Sequence, residues 1–179
     1  MKTEYEVRVL NVDVDKVIGI LENVGAQKIG SYFQKRYVYD IVKGENDRFV
    51  RVRDNGEVVT ITYKDKRVRT ISGTKELEIE VNDFKKAKEL LNNLGFTDGP
   101  YQENKRTIYK LEDAEFDFDT YPNIPTYLEI EGKDEETVNK YIKLLELENN
   151  EQTCDSIMKI YDRYGIHITG NEDLIFEEE

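Results

Sequence analysis

A single cysteine, Cys154, in a chain of 179 residues rules out an internal disulfide and points to a reducing, cytoplasmic setting. A single histidine, His167, rules out a Ser-His nucleophile and any multi-histidine metal centre. Both residues read as incidental. No run approaches the roughly 20 apolar residues of a membrane span. The opening Met1-Lys2-Thr3-Glu4 enters a charged strand at once, without the basic and apolar regions of a secretory signal. Basic residues are scarce beside acidic ones, and the net charge of −12 opposes binding to DNA or RNA backbones unless the bases are gathered into one site. So much carboxylate favours a cation, free or metallic, as partner. Linkers rich in Pro, Gly or Ser are also missing, so residues 1–179 read as one domain with a modest but adequate core.

What is present is an internal repeat. Glu4-Tyr5-Glu6-Val7-Arg8 leads through Asp13 into an amphipathic stretch that ends at Gly25, and Glu76-Leu77-Glu78-Ile79-Glu80-Val81 leads through Asp83 into another that ends at Gly95. Each unit is a strand, an N-capping Asp, a helix and a Gly suited to a left-handed C-terminal residue, and the copies lie about 70 residues apart. Three strand-like segments follow each helix. In the first half they are Lys28 to Asp40, Arg48 to Asp54 and Glu57 to Lys64, the last two joined by the turn pair Asn55-Gly56. In the second they are Tyr101 to Leu111, Glu115 to Tyr121 and Thr126 to Glu131, with Pro122 and Pro125 in the last connection. The tunnel strands thus span about 3–132. Helices are expected over Glu135 to Leu145 and Thr153 to Tyr164, within a helical region of about 134–165, followed by an acidic tail over 170–179 that is either a docked strand or loose.

Strand side chains alternate between two faces, and here the alternation separates apolar from charged. Tyr5, Val7 and Val9 oppose Glu4, Glu6 and Arg8; Val50 and Val52 oppose Arg51 and Arg53; Val59, Ile61 and Tyr63 oppose Thr60, Thr62 and Lys64. In the second half, Phe116 and Phe118 oppose Asp117 and Asp119, and Leu128 and Ile130 oppose Glu129 and Glu131. Taken strand by strand, a solvated sheet face accounts for such residues. Two features argue for more. Four of the five strand-face bases are Arg, whose planar fork suits phosphate oxygens, although Lys is the commoner base in the chain. The acids also come in Glu-x-Glu and Asp-x-Asp pairs, whose like charges repel unless a cation lies between them. If the strands close into a barrel with helices outside, the charged faces line a wet tunnel. Paired carboxylates there supply hard oxygen ligands for Mg²⁺ or Mn²⁺, and the arginines hold a polyanion.

With Glu4-x-Glu6-x-Arg8, Arg51-x-Arg53, Lys64, Glu76/Glu78, Arg106, Asp119 and Glu129-x-Glu131 in this order, the chain resembles the CYTH superfamily of triphosphate tunnel metalloenzymes over about residues 1 to 165. The resemblance implies an α+β fold, an eight-stranded antiparallel β-barrel of two pseudo-repeated halves with helices packed outside. It implies metal ligation by Glu4, Glu6, Asp119, Glu129 and Glu131, phosphate binding by Arg8, Arg51, Arg53, Lys64 and Arg106, and catalytic roles for Glu4, Glu6 and Lys64. The expected activity is divalent-metal-dependent hydrolysis of inorganic, nucleoside or thiamine triphosphate. The alternatives are a class IV adenylyl cyclase making cyclic AMP from ATP and a binding module that captures triphosphate or polyphosphate without turnover. The partner is then a small triphosphate (ATP, tripolyphosphate or thiamine triphosphate), not nucleic acid or membrane, and nothing in the sequence excludes a homodimer.

Two positions depart from the family pattern. Arg8 stands where the opening motif usually ends in Lys, and Asn104 where the first base of a Lys-x-Arg pair is expected, so that Lys105 compensates only if it turns inward. Elsewhere, Lys35-Arg36 reads as a solvated strand edge, Tyr37 and Tyr39 as barrel wall, and Lys66-Arg67 with Arg69 as a mobile loop at the tunnel mouth that steers anions.

Overall fold

The computed structural model describes residues 1–97 and 99–177. Its elements run β1 (Lys2–Val9), α1 (Val14–Asn23), β2 (Gln27–Asp40), β3 (Arg48–Asp54), β4 (Val59–Asp65), β5 (Thr74–Val81), α2 (Phe84–Asn93), β6 (Tyr101–Leu111), β7 (Ala114–Thr120), β8 (Tyr127–Gly132), α3 (Glu135–Leu144), β9 (Gln152–Thr153) and α4 (Ile157–Arg163). The antiparallel order β5-β4-β3-β2-β6-β7-β8-β1 closes on itself through a β1–β5 pairing, in which Lys2 lies opposite Glu76 and Glu4 opposite Thr74. The result is a closed eight-stranded barrel with the four helices outside.

The repeat is visible in the helix ends. Asp13 accepts from the Lys16 backbone N at 3.1 Å and Asp83 from that of Lys86 at 2.9 Å, each satisfying a donor the first helical turn leaves open. Gly25 and Gly95 close their helices at φ 90° and 96°, conformations that a side chain resists. The Asn55-Gly56 turn is longer than the sequence suggests, because the Asn55 side chain accepts from the backbone N of Glu57 and of Val58 and so delays β4 to Val59.

Apolar strand faces meet the helices. Val7, Val9, Phe116, Phe118, Leu128 and Ile130 form the largest core with Val17 and Leu21 of α1 and Val138, Tyr141 and Ile142 of α3. Ala87 and Leu91 of α2 cover Tyr39 and Val52, which makes Tyr39 barrel wall as expected. Ile160 and Tyr161 of α4 pack on Tyr121, Ile124 and Tyr127.

The segment expected as one helix from Thr153 differs. Beyond Glu4, β1 parts from β5, which leaves its edge unpaired, and Gln152 and Thr153 fill part of that edge as β9 opposite Val9 and Arg8. The helix therefore begins only at Ile157. The tail docks: Leu174 is buried and bridges β6 at Gln102, its backbone N donating to Tyr101 O at 2.9 Å. Positions 178 and 179 of the expected tail lie outside the described residues. Among the described residues, no helix is long and apolar enough to cross a membrane.

Candidate functional site

Because apolar faces point outward, the charged faces line the barrel interior, a cavity of about 1010 Å³. Its two signs are segregated. Moving from β7 through β8 and β1 to β5, the inward residues are mainly Asp and Glu; β4, β3, β2 and β6 contribute Lys64, Arg51, Arg53, Arg36 and Arg106. Each of the predicted site residues Glu4, Glu6, Arg8, Arg51, Arg53 and Lys64 lines this cavity, as do Arg106, Asp119, Glu129 and Glu131. Glu80, which shares the parity of Glu76 and Glu78, lies exposed near the end of β5.

On the acidic wall the strand register sets carboxylates side by side. Glu131 of β8 lies opposite Glu6 of β1 on one side and Glu115 of β7 on the other, and Glu129 lies between Arg8 and Asp117. Like charges in such rows repel, and each finds a base. Arg106 reaches Asp117, Asp119 and Glu129. Arg8 pairs with Glu129 at 2.6 Å, Lys64 with Glu4 at 2.8 Å and Glu76 at 3.0 Å, Lys66 with Glu6, and Lys2 with Glu131 at 2.7 Å. Among the described residues, no three acidic, Cys or His side chains already converge as a metal cage. The carboxylates are turned onto their bases instead.

The protonation states follow from these neighbours. Burial, reinforced by Glu6 and Glu76, raises the Glu4 carboxyl to about 7 despite the Lys64 amine beside it. Burial also works against ionisation of Glu6, but Lys66, Lys64 and Arg8 together hold it well below the usual carboxylate range. Lys66 is itself pushed down, by burial and then by Arg8, because it shares its acid with other cations. Glu129 is brought to about 2 by Arg8 and Arg106 against its burial. Asp117, buried with its Oδ1 lacking any hydrogen-bond partner, is raised well above the ordinary range. On the basic wall, burial and the adjacent Arg53 and Arg36 lower Arg51 to about 9, and it stays a cation at neutral pH.

Two expectations are corrected. Arg36 is not on a solvated edge: it is buried in the tunnel, because Tyr37 and Tyr39 take the outer face beneath α2. Lys66 is not at an exposed mouth. It continues the inward phase of Thr60, Thr62 and Lys64 one step past β4 and is buried against Glu6, while the next residues fold back so that Ile71 O accepts from Glu6 N at 3.0 Å. Gly73 permits that fold, since a Cβ there would meet Val68 O at 1.8 Å. The alternation that placed Arg51 and Lys64 inward was the available signal for Arg36, Lys66 and Glu115. Lys105 faces outward over the Phe176 ring and does not compensate for Asn104. Cys154, half-buried, donates weakly to Glu6 O, and His167 is exposed beside Asp162, both outside the tunnel lining.

A Methanocaldococcus jannaschii protein provisionally named an adenylate cyclase is 31% identical over 147 residues, covering 80% of this chain and 83% of that protein. A solved Pyrococcus horikoshii structure superposes with a TM-score of 0.71 at 27% identity, covering 83% of this chain and 94% of the other. A Hippeastrum protein, provisionally an adenylyl cyclase and described as having a dominant triphosphatase activity, shares the fold at 14% identity with a TM-score of 0.60, over 94% of this chain and 98% of its own. The model of the CYTH domain matches residues 2–159, most of the chain and every strand of the closed barrel, and the protein belongs to the CYTH family.

Proposed function

We propose that this protein is a divalent-metal-dependent enzyme that hydrolyses small triphosphates inside its tunnel. The observation that carries this reading is the segregation of charge, an acidic wall across one closed cavity from a basic one. A metal-bound triphosphate needs both walls at once.

Glu4, Glu6, Asp119, Glu129 and Glu131 would hold Mg²⁺ or Mn²⁺. The donor set fits, being all carboxylate oxygen, with Glu6 and Glu131 adjacent in register and a buried Asp117 oxygen lacking any hydrogen-bond partner. When bound, the ion neutralises phosphate charge and lowers the cost of deprotonating water. Arg8, Arg51, Arg53, Lys64 and Arg106 would grip the phosphates. Arg8, Lys64 and Arg106 are the bases now holding Glu129, Glu4 and Asp119, so a polyanion that engages them releases those carboxylates for other work. Glu4, its carboxylate 2.8 Å from the Lys64 amine, would accept a proton from attacking water, Glu6 would stand as an anion next to it, and Lys64 would offset charge building on the phosphoryl oxygens.

A cyclase reading draws on the provisional name of the 31% identical M. jannaschii relative. Product analysis with ATP, tripolyphosphate and thiamine triphosphate, each with Mg²⁺ or Mn²⁺, separates the readings: free phosphate supports hydrolysis, cyclic AMP the cyclase, and tight binding without product a capture module. In the same assay, Glu4→Gln combined with Glu6→Gln should lower activity by at least about a hundredfold while leaving a cooperative melt. Full activity in that double variant would refute the site.

A further inference from the structure

Arg36 is 5% exposed, yet among the described residues it makes no ion pair. Its contacts are all to neutral groups: Nη1 donates to the Tyr121 hydroxyl at 2.9 Å, Nη2 to Gln34 Oε1 at 3.0 Å and to Asn104 Oδ1, while Nε has no partner. A guanidinium buried without a counter-charge is costly, and the local register increases the cost. Arg36 lies directly opposite Arg53 across the β2–β3 ladder, and Arg51 follows on the same inward face of β3. Among the described residues, Glu78 is the carboxylate in ion-pair contact with this group, at 3.2 Å from Arg53 and 3.6 Å from Arg51, with Glu76 acting on both from farther off. Three guanidiniums against one paired carboxylate give this wall an excess of positive charge.

We infer that Arg36 is a substrate-binding residue, the third arm of an arginine clamp with Arg51 and Arg53 that takes the terminal phosphoryl group of the bound triphosphate. A terminal phosphoryl carries about 1.5 to 2 negative charges near neutral pH, as a phosphomonoester does, whereas an internal one carries a single charge, so the excess on this wall matches the end of the chain. Tyr121, Gln34 and Asn104 hold the guanidinium in place without neutralising it. Asn104 also donates to Asp119 Oδ1 at 2.7 Å, which ties the clamp to the acidic wall. A base at position 104 would stand against Arg36; the amide accepts from it instead. This assignment rests on the triphosphate reading.

The test is titration calorimetry of sodium tripolyphosphate into the full chain, in EDTA and again with Mg²⁺, with melting temperatures alongside. Arg36→Gln should weaken binding roughly tenfold to a hundredfold, the loss of a hydrogen bond to a charged group. Its ligand-free melting temperature should be unchanged or higher, since a buried unpaired cation has been removed. Arg36→Gln with Asn104→Lys returns a cation to the neighbouring strand position and should recover part of the affinity. Arg36→Lys, which keeps the charge but loses the planar fork, must bind more tightly than Arg36→Gln; if the glutamine variant fails to fold, Arg36→Met takes its place and must bind more weakly than Arg36→Lys. Unchanged affinity in Arg36→Gln, or a loss that neither basic variant relieves, overturns the assignment. Absence of tripolyphosphate binding by the wild-type chain in both buffers would instead sink the triphosphate reading itself.

Discussion

Arg106 offers the sharpest test of how the acidic wall is held. Its guanidinium reaches Asp117, Asp119 and Glu129, and all three carboxylates are buried. Arg106→Gln keeps a polar group of similar length but removes the charge. Three acids would then sit in low dielectric with Arg8, on Glu129, as the remaining ion-pair partner. Removing one partner of a buried ion pair costs about 3–5 kcal/mol, and Arg106 is only 15% exposed, so solvent screening reduces this little. For a chain of this length each kcal/mol shifts the melting temperature by about 2–4 °C, so a drop of roughly 6–20 °C is expected at pH 8. The pH dependence carries the mechanism. In the wild type, the pKa of Glu129 lies at about 2, below its ordinary value, so its contribution is present above the unfolded pKa and lost as pH falls toward 2. In the variant Glu129 keeps Arg8 but loses Arg106, so its pKa should rise, and the destabilisation should grow as pH rises through that value and shrink toward pH 5. Urea denaturation of both proteins across pH 5–8, without metal, measures the gap. A gap below about 1 kcal/mol at pH 8, or one independent of pH, would refute the view that Arg106 neutralises a buried cluster.

Glu4 should show the opposite slope from wild-type Glu129. Its folded pKa of about 7 exceeds the unfolded value near 4.5, so its contribution is complete below pH 4.5 and disappears as pH rises through 7. In EDTA, Glu4→Gln should therefore remove up to about 3 kcal/mol of pH-dependent loss between pH 5 and 8, and identical stability profiles would contradict the burial that raises Glu4. Arg51→Ala with Arg53→Ala should weaken tripolyphosphate binding by at least about a hundredfold, because two of the guanidiniums facing the terminal phosphoryl are lost; unchanged affinity would argue against a clamp.

Much of the site was legible because a strand exposes its phase. Glu4, Glu6 and Arg8 share a face by parity, as do Arg51 and Arg53, and the apolar residues between them could only be covered by helices. The same parity reaches Arg36, between the outward Tyr37 and the buried Gln34, and Lys66, two residues beyond Lys64. Local composition hid both. Lys35-Arg36 and Lys66-Arg67 read as solvated basic dipeptides, although one member of each pair is buried. Gln152–Thr153 was hidden for another reason: nothing in its own residues announces a strand, and only the edge left open where β1 parts from β5 creates one.

Alternation, the paired helix caps and the repeat of about 70 residues determined the strand count, the outward helices and which side chains share a face. These are local properties, set by backbone geometry within a few residues. Tertiary structure alone decided how the charges meet. Barrel closure turned an acidic wall toward a basic one and seated Lys66 on Glu6, and the β2–β3 register set Arg36 opposite Arg53. Pairing between strands far apart in sequence depends on register and closure, and Coulomb energy depends on those distances rather than on position along the chain.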